Sequence, residues 1–261
     1  MARFLRTSTA NFVRERVVRP LLPDAVSSAL NRNDRTGALC RAWGHVFTNQ
    51  LCGGYYEFGV YRGDTFRRAW EVYQVFDSWQ QGQLDAPEPW RRKAAEPYAN
   101  FRHGFYAFDT FSGMPMNDEG NTTFSEGVFA TSVETFDRLN RAAKLPAAPR
   151  AQRFVGTFGE ILRTQRPVLE ALQPAAIVNI DCDLYASARE ALECIAPKLQ
   201  QGSVVLFDDW NAFAARRDAG ERRAAREFLA QQLWLAFEPW FAYEYTGQAF
   251  LVHMNGQPHD R

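Results

Sequence analysis

The sequence predicts an α/β fold: a mostly parallel, seven-stranded sheet with helices on both faces, an antiparallel last strand and a helical N-terminal extension. Three observations predict it. From residue 53 onward, short apolar runs alternate with helical patterns of ten or more residues, the signature of parallel strands joined by crossover helices. The last two apolar runs are separated by Thr246-Gly247, a hairpin signal. Two of the buried runs end in paired acids, at the strand ends where open α/β sheets bind their ligands.

The elements follow in order. Residues 1–50 read as mainly helical and form the extension; residues 51–261 form the α/β domain. The opening segment, MARFLRTSTANFVRERVVRPLLPD, is Arg-rich with no acid before Glu15 and lacks a secretory apolar core. An amphipathic helix is expected there, ahead of a targeting peptide. GGYYEFGV (53–60) is the first strand. A helix over 64–79 follows, with Phe66, Ala69, Trp70 and Tyr73 at helical spacing. Residues 80–103, with three prolines, look like a polar insertion holding one short helix. GFYAFDTF (104–111) is the second strand, and 112–127 is a long loop of turn formers. A helix near 131–144 leads to a third strand, RFVGTF (153–158), and a helix near 159–172 to a fourth, 176–181. Ser187 and Glu190 form an S-x-x-E capping box for the next helix, with Gly202 at its C-cap. The fifth strand is 203–207, a charged helix spans 219–233, and FAYEY and QAFLVHM close the sheet.

Composition narrows the function. Thirty basic residues balance thirty acidic ones, so charge gives no argument for a nucleic-acid or membrane-surface partner. No apolar run approaches the ~20 residues of a membrane span. The four cysteines, Cys40, Cys52, Cys182 and Cys194, show no metal-finger or C-x-x-C spacing and fit reduced thiols in a cytoplasm. A small-molecule partner is the expectation, with the helical extension available for packing a homodimer or higher homo-oligomer.

The residues just past each strand carry the chemistry. Glu57, Gly59 and Gly63 give an E-x-G-x-x-x-G loop, not the dinucleotide fingerprint. It suits a small nucleoside, with Glu57 facing the cationic end of a sulfonium amino acid; plain turn formation is the competing reading. Asp109, after the second strand, is placed to accept ribose hydroxyls or to cap the turn DTFSG. Gly156, Thr157 and Phe158 could meet an adenine edge. Asp181 and Asp183 end the fourth strand and Asp208 and Asp209 the fifth. Strand alternation puts Asp181 and Asp183 on one side and Cys182 on the other. Four converging carboxylates need neutralising, and a hard divalent cation suits an all-oxygen donor set.

EFGVYRG, FYAFDTFSGMP, FVGTF, IDCDLYASAREAL and LFDDW, in this order, resemble the macrocin O-methyltransferase family over roughly residues 35–252. The resemblance implies a class I, Rossmann-like methyltransferase fold and transfer of a methyl group from S-adenosylmethionine to a sugar hydroxyl of an antibiotic or similar metabolite, with Mg²⁺. It implies Asp181, Asp208 and Asp209 as metal ligands and Asp183 as the base. It places the cofactor against Glu57, Gly59, Tyr61, Gly63, Thr65, Asp109 and Ser112, under a substrate lid formed by 112–127. Three features depart from the family: Cys182 where glycine is usual, Ala186-Ser187-Ala188 where Glu-Ser-Thr is usual, and a longer insertion at 80–103. They bear on the substrate, not on the metal ligands.

Other readings stay open at this level. Asp181-Cys182-Asp183 is also the D-x-D of metal-dependent glycosyltransferases. The same fold could serve a catechol or carboxylate acceptor, or bind without catalysis. His45, His103, His253 and His259 are the rival bases to Asp183.

Overall fold

The structure, a computed structural model, describes residues 33–116, 119 and 124–255. Expectations for the first 32 residues, for most of the tip of the 112–127 loop and for His259 lie outside the described residues. The chain runs α1 (Arg35–Thr48), β1 (Gly54–Phe58), α2 (Asp64–Gly82), α3 (Pro89–Ala95), β2 (Phe105–Asp109), α4 (Val133–Ala142), β3 (Ala151–Val155), α5 (Phe158–Thr164), α6 (Arg166–Glu170), β4 (Ala175–Ile180), α7 (Tyr185–Ile195), β5 (Val204–Phe207), α8 (Gly220–Gln231), β6 (Leu235–Tyr243) and β7 (Gly247–Met254). The seven strands form one sheet in the order β3-β2-β1-β4-β5-β7-β6. β1 to β5 are parallel, and β7 is antiparallel to both of its neighbours. The predicted fold class therefore holds. Strand order reverses between β1 and β4, which sets a crevice at their carboxyl ends.

Each sheet face buries its own core, because alternate residues of a buried strand point to opposite faces. In β2, Phe105 and Ala107 join the core under α1 and α2, whereas Tyr106 and Phe108 join the core under α5 to α8. In β5, Val204 and Leu206 divide from Val205 and Phe207 in the same way. The first core is aromatic. Trp43 of α1 is fully buried and meets Tyr73, Phe105 and His103 at ring distances of 5.2, 5.9 and 5.2 Å. This packing fixes α1 on the sheet, and with it the first residue of α1.

Several expectations change. The third strand ends at Val155, and the chain turns through Gly156 and Thr157 into α5, whose N-cap is Thr157 accepting from Glu160 N. The single helix expected over 159–172 is two, α5 and α6, because Pro167 cannot continue the first one's hydrogen bonding. The capping box is not formed: α7 starts at Tyr185, so Ser187 lies inside the helix, and Glu190 accepts from Gly159 N instead. The Tyr185 N–H donates to Glu119 of the loop after β2 at 2.7 Å. The charged helix is shorter than predicted, Gly220–Gln231. β6 is longer than FAYEY, because Pro239 sits at a register shift on a sheet edge, where a missing N–H costs little. The insertion holds α3 between two short 3₁₀ turns. All four cysteines are free. Among the described residues no helix is long and apolar enough to cross a membrane.

His103 sits against Trp43, Phe47 and Tyr73, with its Nδ1–H directed at the Gly53 carbonyl oxygen. Burial pushes its pKa down to about 4. The unfolded chain gains this proton below about 6.5 while the folded protein does not. Stability from this site is therefore lost as pH falls from about 6.5 towards 4, by at most ~1.4 kcal/mol per pH unit. His103→Gln should flatten that part of the stability profile in urea unfolding at stepped pH. An unchanged acid slope would count against the assignment.

Candidate active site

Sheet register builds the site. Phe108, Phe58, Ile180 and Phe207 are paired across β2, β1, β4 and β5 in one row. The next residues along, Asp109, Gly59, Asp181 and Asp208, form a second row just past the strands. Three ladder bonds hold it: Gly59 N to Phe108 O, Asp181 N to Phe58 O and Asp208 N to Ile180 O, at 2.9, 2.9 and 3.0 Å. Gly59 adopts φ +88°, and a Cβ there would lie 1.9 Å from the Asp181 carbonyl oxygen. Only glycine lets the two backbones pass this closely. Above the row opens a cavity of about 580 Å³, within the range that takes a small-molecule ligand.

Carboxylate oxygens of Asp181, Asp208 and Asp209 lie within 4.8 Å of one another. Asp183 follows in a left-handed turn, φ 61°, and lines the same cavity. β4 has already ended at Ile180, so a turn and not strand alternation brings Asp183 towards the acids. Cys182 belongs to the second core and also lines the cavity, so the two aspartates and the cysteine between them are not divided cleanly by alternation. Burial, and then the neighbouring Asp209, push Asp183 up to about 9. Burial lifts Asp208 to about 6 against the pull of Arg35, and it lifts Asp181 well above the ordinary carboxylate range.

Sequence reasoning missed the cation at the centre. Arg35, the first residue of α1, pairs through Nη1 with Asp181 at 3.2 Å, through Nη2 with Asp208, and through Nε with Glu244 at 3.5 Å. Nη1 also donates to Thr65 Oγ1 at 3.2 Å. Glu244 belongs to the β6–β7 turn, where Thr246 Oγ1 donates to the Asp208 carbonyl oxygen. Glu221 of α8 was missed too. It is 1% exposed, accepts from Asp209 N through Oε2, and leaves Oε1 without a partner. An arginine in a segment read only as mainly helical and a glutamate in a predicted charged helix carry no local signal of a shared site.

Of the residues singled out for the cofactor, Glu57, Gly59, Tyr61, Thr65, Asp109, Thr157 and Phe158 line the cavity, as do Asp181, Asp183, Asp208 and Asp209. Gly63, Ser112 and Gly156 do not. Gly63 caps α2 in a left-handed conformation against Phe136, Ser112 is exposed, and Gly156 turns the chain out of β3. Glu57 is 1% exposed and accepts from the Tyr55 hydroxyl; burial raises it to about 8. Asp109 accepts from Tyr61 N and Phe111 N, both at 2.7 Å, so it caps the turn. Each of its oxygens keeps a second lone pair. Met114, Met116, Phe124 and Phe129 supply an apolar wall. His45, His103 and His253 are not among the lining residues.

Residues 94–234, more than half of the chain, match the family model of macrocin O-methyltransferase (TylF). No curated protein matches. Among solved structures the chain is similar to the O-methyltransferase NovP, at 20% identity over 83% of this chain and 78% of NovP, with a TM-score of 0.56. It is also similar to the calicheamicin methyltransferase CalS11, at 20% identity over 97% of this chain and 96% of CalS11, with a TM-score of 0.58. These likenesses show a shared fold, the class I methyltransferase sheet.

The contact between Gly59 and Asp181 is open to test. Gly59→Ala should push the β1 and β4 loops apart and lower stability by more than ~1 kcal/mol. It should also weaken S-adenosylhomocysteine binding by calorimetry. Wild-type melting together with wild-type binding would show that the backbones do not pass at this distance.

Proposed function

The chain belongs to the macrocin O-methyltransferase family and is an S-adenosylmethionine-dependent O-methyltransferase, and on that premise we propose that it methylates a sugar or vicinal-diol hydroxyl of a small secondary metabolite, with Mg²⁺ and an aspartate base. One observation carries the reading: three carboxylates within 4.8 Å of one another, with Asp183 beside them, on the wall of a ligand-sized cavity at the strand-order reversal.

The residues present fit a divalent cation. All three donors are hard oxygens, which suits Mg²⁺ over softer metals. The surplus negative charge shows in Asp183, which burial and the acids beside it hold well above the ordinary carboxylate range. Asp181, Asp208 and Asp209 would hold the ion, and a bound divalent cation supplies Lewis-acid activation of a hydroxyl. Neutralising the cluster removes the repulsion that adds to burial in keeping Asp183 protonated, leaving it free to accept the acceptor's proton. Glu57 and the Gly59 turn would orient the methyl donor. Its nucleoside would lie towards Asp109, Thr157 and Phe158, and the protein's contribution is alignment for in-line transfer.

The apolar wall of Met114, Met116, Phe124 and Phe129 favours an acceptor whose hydroxyls sit on a larger, partly apolar body. A catechol meets the same description and is the second reading. A panel of glycosylated metabolites and catechols, assayed with labelled methyl donor, separates the two.

Asp183→Asn should lower kcat by ~100-fold or more while S-adenosylhomocysteine affinity is kept; near-normal turnover would falsify the base assignment. Exhaustive chelation should remove activity and Mg²⁺ should restore it, and full activity in the chelated protein would rule out the metal role.

A further inference from the structure

Arg35 holds the position that a cation must take. Its guanidinium bridges Asp181 and Asp208 through the Oδ2 atom of each, and these two residues are also two of the three clustered carboxylates. The side chains of Asp181 and Asp208 are 17% and 7% exposed, so solvent does little to screen them. Two like charges this close and this buried require a counter-ion. A guanidinium suits a pair of carboxylates because its donors are set in a planar fork.

The rest of the Arg35 environment gives it somewhere else to be. Its backbone N–H donates to Glu244 Oε1 at 3.1 Å, and its Nε lies 3.5 Å from Glu244 Oε2. The helix that carries it is fixed independently, by the Asp34 cap on Gly37 N and by the burial of Trp43. The Nη groups can therefore leave the two aspartates without undoing α1 and without leaving Glu244. Glu244 is 33% exposed, so a guanidinium paired with it alone stays partly solvated.

We propose that Arg35 is a built-in counter-ion that occupies the Asp181–Asp208 pair in the metal-free protein and is displaced towards Glu244 when a divalent cation binds. This rests on the metal reading given above and adds an exchange to it. The exchange weakens apparent metal affinity, because only the fraction of molecules with Arg35 withdrawn can accept the ion. It also keeps the metal-free site folded, since the carboxylates are never left bare.

The test is Mn²⁺ binding by calorimetry and by electron paramagnetic resonance, on the full chain, without substrate. Arg35→Met should bind Mn²⁺ about tenfold more tightly than wild type. Its metal-free melting temperature should fall and its melting shift on adding Mn²⁺ should grow. Equal or weaker Mn²⁺ binding by Arg35→Met would overturn the exchange and leave the metal reading intact. Absence of Mn²⁺ binding in both proteins would overturn both. If Arg35→Met does not fold, Arg35→Lys replaces it: a single ammonium lacks the fork, so tighter Mn²⁺ binding than wild type supports the exchange and no gain overturns it.

Discussion

The constraint on which the rest depends is the register of four parallel strands. Phe108, Phe58, Ile180 and Phe207 are level, so their successors are level. Three of those four successors are acids and the fourth is a glycine. A slip of one residue in β4 would send the apolar set of Val178 and Ile180 to the wrong face and carry Asp181 out of the row. The two aromatic and aliphatic cores that fix the register thus also fix the position of the acids, although none of the acids belongs to either core. Gly59 adds a second requirement, since β1 and β4 approach too closely at that point for any side chain.

Concentrating acids in this way sets an electrostatic problem that the fold answers in layers. Backbone N–H groups of Tyr61 and Phe111 satisfy Asp109. The Tyr55 hydroxyl satisfies one oxygen of Glu57. Arg35 covers Asp181 and Asp208, and burial raises Asp183 to about 9. Only the first two arrangements are closed. The other two are provisional, because a guanidinium can swing and a proton can leave Asp183, and they lie where a cation and an acceptor hydroxyl would arrive.

The fold was legible from local pattern because the central strands β1, β2, β4 and β5 are buried apolar runs and the longer helices between strands are amphipathic. FYAF and VVLF divide cleanly between two cores, and Thr246-Gly247 marks the final hairpin. The errors came from places where tertiary contacts outrank local propensity. Ser187 and Glu190 have the spacing of a capping box, yet Leu184 is the N-cap and Glu119 takes the first N–H, so the helix starts three residues early. The acids of the site were legible because they end apolar runs. Arg35, Glu221 and Glu244 were not, because their roles arise from distances across the fold. Ser112, Gly63 and Gly156 show the converse: a family pattern marks the right loops but not which of their residues face the cavity.

The pairing of Arg35 with Glu244 joins residues separated by 209 positions. Contacts of that sequence separation carry the largest loop-closure cost and form late. The acidic strand ends are level once β1, β4 and β5 associate, but their counter-ion is in place only once α1 has docked, and its third partner only once the β6–β7 hairpin has closed. Until then the chain carries a cluster of bare carboxylates that repels itself. Assembly of the catalytic crevice is therefore a readout of the whole chain's folding, and a half-folded molecule of this protein should carry no half-active site.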